Sequence, residues 1–91
     1  MTQQVFDSVW DALEDDPIER ANMKLRSALM REIRDWYEGS GMTQTEAAKV
    51  LHISRPKLSG LLNGHIHLFT IDRLVNALSA AGRHVELKVA A

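Results

Sequence analysis

The sequence has 91 residues, the size of one domain, with 45% hydrophobic and 25% charged residues and a formal net charge of −1. It contains no cysteine, which excludes a disulfide framework and a thiolate metal site. No apolar run approaches the ~20 residues that span a bilayer, and no basic region followed by an apolar stretch signals export. We therefore expect a cytoplasmic protein with no membrane partner.

Charge is distributed unevenly along the chain. Residues 1–20 contain six acidic residues and one basic residue, whereas residues 21–91 contain six acidic and ten basic residues. An acidic arm is therefore attached to a basic body. This asymmetry can mark two different partners, or two surfaces that are simply solvated.

The first predicted element is a short amphipathic helix within residues 1–15. Apolar side chains recur on one face at helical spacing, and acidic side chains lie off that face. The apolar set packs either on its own domain or on a partner. The candidate partner-binding residues are Phe6, Val9, Trp10 and Leu13, with Val5 on the same face.

A long helix is predicted next. Asp16 can cap its start, Pro17 suits its first position, and Glu19 stands where a capping box requires it. Gly39 is expected to end the helix in a left-handed conformation. The residues expected to face inward are Ile18, Ala21, Leu25, Ala28, Leu29, Ile33, Trp36 and Tyr37.

Two short helices are predicted within residues 43–64, TQTEAAKVLHISRPKLSGLLNG. Thr43 and Glu46 form a second capping box. His52 ends the first of these helices, because histidine tolerates a positive φ better than most residues do. Ser54 caps the second helix, and Gly64 closes it. The buried stripe of the second helix is predicted to be Leu58, Leu61 and Leu62.

The C-terminal part is predicted to be a helix followed by a strand. Thr70 caps the helix, and Gly82 ends it. Residues 83–89, RHVELKV, alternate strictly between apolar and polar side chains, which is typical of a strand. A lone strand needs a partner, so we expect it to pair with the same strand of a second copy in a homodimer. The candidate dimer contacts are Val85, Leu87 and Val89.

The two short helices describe a helix-turn-helix, because a short turn joins them and small residues stand at their crossing. In such a unit the second helix enters the DNA major groove and meets the base edges with its first residues. Arginine can form two hydrogen bonds with guanine, a proline ring can touch a thymine methyl, and glycine lets the helix sit close to DNA. The predicted base-contacting residues are Arg55, Pro56, Ser59 and Gly60.

Phosphate contacts are predicted on both sides of these residues. The first amides of the Thr43-capped helix form an end suited to an anion, and Asn63 with the following loop can hold the backbone of the other strand. The predicted phosphate-contacting residues are Thr43, Gln44, Lys57, Asn63 and His65.

Catalytic and metal sites are not expected. His65 and His67 have a metal-like spacing, but no third ligand lies nearby in the sequence. No nucleophile, base and orienting residue form a recognisable trio. We therefore predict neither an enzyme nor a cofactor.

The motifs GMTQTEAAKVLHISRPKLSGLLNG and TIDRLVNALSAAG resemble the XRE (Cro/cI-like) helix-turn-helix family over residues 41–82. The resemblance implies an all-α domain that binds double-stranded DNA. We expect five helices over the chain, with an N-terminal amphipathic segment (1–15), the helix-turn-helix domain (16–82) and one C-terminal β-strand (83–91). The family usually has glycine at the position of His52.

A wider resemblance covers the flanks VFDSVWDAL, DDPIERANMKLRSALM, LFTIDRLVNAL and RHVELKV, which look like small XRE proteins of the HigA-like type. It implies that the protein is the antitoxin of a type II toxin-antitoxin pair. Such a protein represses its own operon by binding an inverted repeat, and it also binds a small basic ribonuclease toxin. Two alternatives remain open: a stand-alone or phage-derived regulator without a toxin, and a protein-interaction module that has lost DNA binding.

Overall fold

The computed structural model describes residues 16–91, so the predicted amphipathic segment 1–15 lies outside the described residues. A one-turn 3-10 helix, Ile66–Leu68, precedes the last of four α-helices. In chain order the α-helices are α1 (Pro17–Ser40), α2 (Gln44–Leu51), α3 (Arg55–Leu62) and α4 (Ile71–Ala80). None of the helices found within residues 16–91 is both long and apolar enough to cross a membrane.

The prediction of five helices and a C-terminal β-strand is wrong. Residues 16–91 contain four α-helices and no strand, and residues 83–91 have no regular secondary structure. A strand is stabilised by hydrogen bonds to a neighbouring strand, and this helical part of the chain offers none. The apolar side chains of the predicted strand are consequently left in solvent, with Leu87 and Val89 exposed to 87% and 81%.

A single hydrophobic core forms where the four helices meet. Its five largest fully buried side chains come from all of them: Ile33, Leu51, Leu58, Leu61 and Leu74. The predicted inward face of α1 is correct only for its second half. Leu29 is buried, but Ile18 is 78% and Leu25 is 47% exposed, because the 24 residues of α1 extend well beyond the short helices packed against it.

The C-terminal end of α1 lies two residues later than predicted. The helix continues through Gly39 to Ser40, and Gly41 adopts the left-handed conformation, with φ of 71°. The Ser40 hydroxyl donates a 2.7 Å hydrogen bond to the carbonyl of Tyr37 and accepts a 3.1 Å bond from the amide of Met42. A side chain therefore supports the last turn before the chain reverses toward α2.

Candidate nucleic-acid interface

The start of α2 is fixed by the predicted capping box, which the structure confirms. The Thr43 hydroxyl accepts a 3.2 Å hydrogen bond from the amide of Glu46, and the Glu46 carboxylate accepts a 3.1 Å bond from the amide of Thr43. The bond from the Thr43 amide is the main reason that the pKa of Glu46 lies below its ordinary value, because it stabilises the ionised carboxylate. The box holds the first amides of α2 at the surface.

The turn between α2 and α3 depends on a left-handed histidine, as predicted. His52 has φ of 59° and is the one residue other than glycine with a positive φ in residues 16–91. Its amide donates to the carbonyl of Lys49 at 3.2 Å, and the amide of Ile53 donates to the carbonyl of Ala48 at 3.1 Å. This pair of bonds is the Schellman pattern that ends a helix. Ile53 then packs against the core and fixes the corner between the two helices.

Helix α3 is the second helix of the helix-turn-helix unit, the one conventionally termed the recognition helix. It has the predicted cap and core face. Ser54 accepts a 3.2 Å hydrogen bond from the amide of Lys57. Leu58 and Leu61 are fully buried, and Leu62 is half-buried. The core therefore fixes the rotation of α3 about its own axis, which determines the side chains that face away from the domain.

Three of the four predicted base-contacting residues are accessible. Arg55 and Pro56 are exposed in the first turn of α3, and Ser59 is half-buried one turn later. Their contacts with bases remain a prediction.

Gly60, the fourth predicted base-contacting residue, does not face open space. It is buried, and a Cβ atom at this position would lie 2.5 Å from Leu68 Cδ1 and 3.6 Å from His65 Nδ1. The glycine makes room for the segment that contains the 3-10 helix, which folds back over α3. The predicted contact of Gly60 with DNA stays a prediction.

The predicted phosphate-contacting residues lie in two groups. Thr43 and the half-buried Gln44 lie at the start of α2, whereas the exposed Asn63 and His65 follow the end of α3. The His65 ring stacks on that of His67, with centroids 6.1 Å apart and 25° between the planes. In the described part of the chain, no group of three or more His, Cys, Asp or Glu residues is arranged to hold a metal ion.

The remaining predicted residue, Lys57, lies in a groove that the sequence does not reveal. The groove has a volume of about 480 Å³ and separates the helix-turn-helix corner from α4. Lys57 and Arg73 both line it, together with His52 and Asn76. Arg73 thereby adds positive charge beside the recognition helix. Only the packing of α4 against the corner brings these side chains together.

Two further arginines of α1, neither of them predicted from the sequence, bond to α3 and to the 3-10 segment that follows it. Arg34 Nη2 donates a 2.7 Å hydrogen bond to the carbonyl of Leu62 in the last turn of α3. Arg26 Nη1 donates to the carbonyls of Ile66 and Phe69 at 3.3 and 3.4 Å. These partners lie 28 to 43 residues away in the sequence, so no local pattern announces them.

Comparison with known protein families matches residues 12–90 to the family described as a helix-turn-helix domain. The match spans most of the 91 residues, and it includes the whole of the four described helices. No curated protein matches the sequence. The family match and the capped α2–turn–α3 unit agree on a DNA-binding regulator, and the chain belongs to the helix-turn-helix domain family.

Proposed function

We propose that this protein is a sequence-specific transcriptional repressor whose helix α3 enters the DNA major groove. The observation that carries the proposal is the position of Arg55, which is exposed in the first turn of a capped helix. The same helix is anchored to the core by the fully buried Leu58 and Leu61. An arginine fixed at this place can donate two hydrogen bonds to the O6 and N7 of guanine.

Backbone contacts on both sides of α3 would orient it in the groove. The capped amides beside Thr43 and Gln44 favour a phosphate at one end. Asn63 and His65 are exposed at the other end. Lys57 shares a groove with Arg73, and their combined charge would attract the DNA backbone from the side. Such contacts position the protein without reading sequence.

We infer that the repressor is a homodimer. Val85, Leu87 and Val89 are 44%, 87% and 81% exposed on a segment without regular structure, and a second copy could cover these apolar side chains. A two-fold dimer would place its two recognition helices in half-sites of an inverted repeat, ~34–36 Å apart. A monomer in sedimentation experiments at micromolar concentration would contradict this inference.

The more specific proposal is that the protein is the antitoxin of a type II toxin-antitoxin pair and represses its own operon. Its support is the resemblance to HigA-like proteins and the acidic residues 1–20 beside a basic remainder. A ribonuclease toxin must bind RNA and is expected to be basic. The acidic arm would attract such a toxin electrostatically, while Phe6, Val9, Trp10 and Leu13 would supply apolar contacts.

Two experiments test these proposals in turn. Selection of binding sites from a randomised duplex pool, followed by titration at several salt concentrations, tests DNA recognition. Equal affinity for selected and random DNA would favour a protein-interaction module. Purification from native cells then tests the toxin. Capture of a small basic ribonuclease, lost on deletion of residues 1–15, supports the antitoxin proposal. DNA recognition without such a partner favours a stand-alone regulator.

A further inference from the structure

Position 60 lies on the side of α3 that carries Pro56, because residues four apart in a helix share a side. Pro56 is exposed, but Gly60 is buried. The two residues therefore belong to one surface of α3, and part of that surface is covered by another segment of the protein. The nearest side-chain atom to a Cβ at position 60 is Cδ1 of Leu68.

Leu68 occupies the space that a side chain at position 60 would need. A Cβ there would lie 2.5 Å from Leu68 Cδ1, closer than non-bonded carbon atoms approach. Gly60 has no unusual backbone conformation, because its φ is not among the positive values. Glycine costs a helix roughly 1 kcal/mol relative to alanine, so its place in α3 is explained by the space that Leu68 needs and not by a turn.

The backbone around Leu68 is held firmly, although its side chain stays accessible. The next residue, Phe69, is 3% exposed, and Ile66 packs against the core. The guanidinium of Arg26 donates hydrogen bonds to the carbonyls of both Ile66 and Phe69. Leu68 itself remains 39% exposed. The fold therefore presents one large apolar side chain on the outside of the recognition helix, at a fixed place.

We propose that Leu68 is a specificity-determining residue of the DNA-binding surface and contacts the C5-methyl group of a thymine. This proposal rests on the proposed function, the insertion of α3 into the major groove. Leu68 covers position 60, and Pro56 is exposed one helical turn earlier on the same side of α3. Arg55 and His65 are also exposed, at the start of this helix and in the loop after it. The thymine methyl is the apolar group of the major groove, and apolar side chains recognise it.

The recognition surface is then composite. Arg55, Pro56 and Ser59 come from α3, and Leu68 comes from the 3-10 helix eight residues after Gly60. A side chain from a second segment thus takes the place of a base-facing side chain at position 60. A protein with this arrangement discriminates thymine from cytosine by a methyl group and not by a hydrogen bond.

The test uses the full-length protein and a duplex selected by it from a randomised pool. Each thymine of the duplex is replaced in turn by deoxyuridine, which lacks only the C5-methyl group. For the parent protein we expect one thymine in each half-site to be sensitive, with binding weakened on the order of fourfold, the value of burying one methyl-sized group. Leu68→Ala is expected to abolish this sensitivity at that thymine alone. Leu68→Met, which keeps an apolar side chain, should retain part of it.

Gly60→Ala provides an independent variant, because its added methyl must displace Leu68. It should also lose the preference for thymine over deoxyuridine while the DNA contact of Arg55 is kept. Thermal unfolding identifies any variant that fails to fold, and Leu68→Met then decides the question. The inference is wrong if the Leu68→Ala variant prefers thymine over deoxyuridine as strongly as the parent protein does. It is also wrong if the parent protein binds every deoxyuridine duplex as tightly as the selected duplex. If the parent protein selects no DNA at all, the proposed function fails as well.

Discussion

The guanidinium of Arg34 donates a 2.7 Å hydrogen bond to the carbonyl oxygen of Leu62 and so ties the long helix α1 to the last turn of α3. The last carbonyls of an α-helix have no partner within the helix, and a positive charge at this end also interacts favourably with the helix dipole. The recognition helix is thus held at its start by the cap of Ser54 and at its end by α1.

Replacement of Arg34 by alanine should therefore weaken both the fold and DNA binding. Loss of a hydrogen bond from a charged donor to a partly buried carbonyl is expected to cost about 1.5–3 kcal/mol. Urea unfolding measures this loss, and a binding titration under native conditions measures the effect on α3. Arg31→Ala is the matched control, because Arg31 is exposed on the same helix and its replacement should change stability by less than about 0.5 kcal/mol. Equal losses for the two variants would contradict the role of Arg34.

Replacement of Arg55 by alanine should relax sequence preference. If Arg55 binds guanine through two hydrogen bonds, Arg55→Ala should lose about 1–3 kcal/mol of binding free energy for the selected duplex. It should also lose the preference for guanine at one base pair in each half-site. The measurement is a titration against duplexes changed one base pair at a time. Stability should change little, because the side chain is exposed.

Lys57→Ala is the control for Arg55→Ala. A phosphate contact carries no sequence information, so this variant should bind selected and random DNA more weakly by the same factor. The slope of log affinity against log salt concentration should fall by about one unit per monomer. Lys57 is half-buried in a groove beside Arg73, so the stability of the Lys57→Ala variant is measured before its DNA binding. An unchanged preference profile in Arg55→Ala would mean that another residue reads the guanine.

Replacement of His52 by glycine should stabilise the protein. His52 has φ of 59° and ψ of 36°, a conformation that costs about 1–2 kcal/mol for a residue with a Cβ atom but little for glycine. The added freedom of glycine in the unfolded chain offsets part of the gain, so we expect a net gain of about 0.5–1 kcal/mol in chemical unfolding. His52→Ala keeps the strain and should bring no gain. A loss of stability in the glycine variant would indicate that the imidazole makes a stabilising contact.

The capping box should make Glu46 titrate at a lower pH than an ordinary glutamate. Its pKa is lowered from 4.5, first by the hydrogen bond from the Thr43 amide and then by that from the Thr43 hydroxyl. Because the folded-state pKa is depressed, the stabilisation is present above pH 4.5 and is lost as the pH falls through the folded-state value. A carbon-13 titration of the Glu46 carboxyl should have its midpoint below 4.5, with the Thr43 amide shifting at the same pH.

Thr43→Ala is the control for this titration. It removes the hydroxyl and keeps the backbone amide, so the midpoint should move upward without returning fully to the ordinary value. A midpoint that is identical in the two proteins would mean that the Thr43 hydroxyl does not stabilise the ionised Glu46 carboxylate.

The helix-turn-helix corner is determined by the sequence itself. The Thr43 and Ser54 hydroxyls accept hydrogen bonds from amides three residues later. The amides of His52 and Ile53 donate to carbonyls three and five residues earlier. The strength of such contacts depends on residue type and spacing, both of which can be read from the chain. The buried Leu58 and Leu61 follow equally from the helical period once the corner is placed.

Only the tertiary structure decided what lies on the other side of α3. Position 60 looks like an open, base-facing position until the 3-10 helix is seen to fold back and place Leu68 over it. Arg34 looks like one more surface charge until it reaches Leu62, 28 residues away. Such contacts depend on the path of the chain in space, which no local period specifies. The alternating residues 83–89 illustrate the same limit, because alternation marks a chain suited to a sheet but cannot supply the neighbouring strand that a sheet requires.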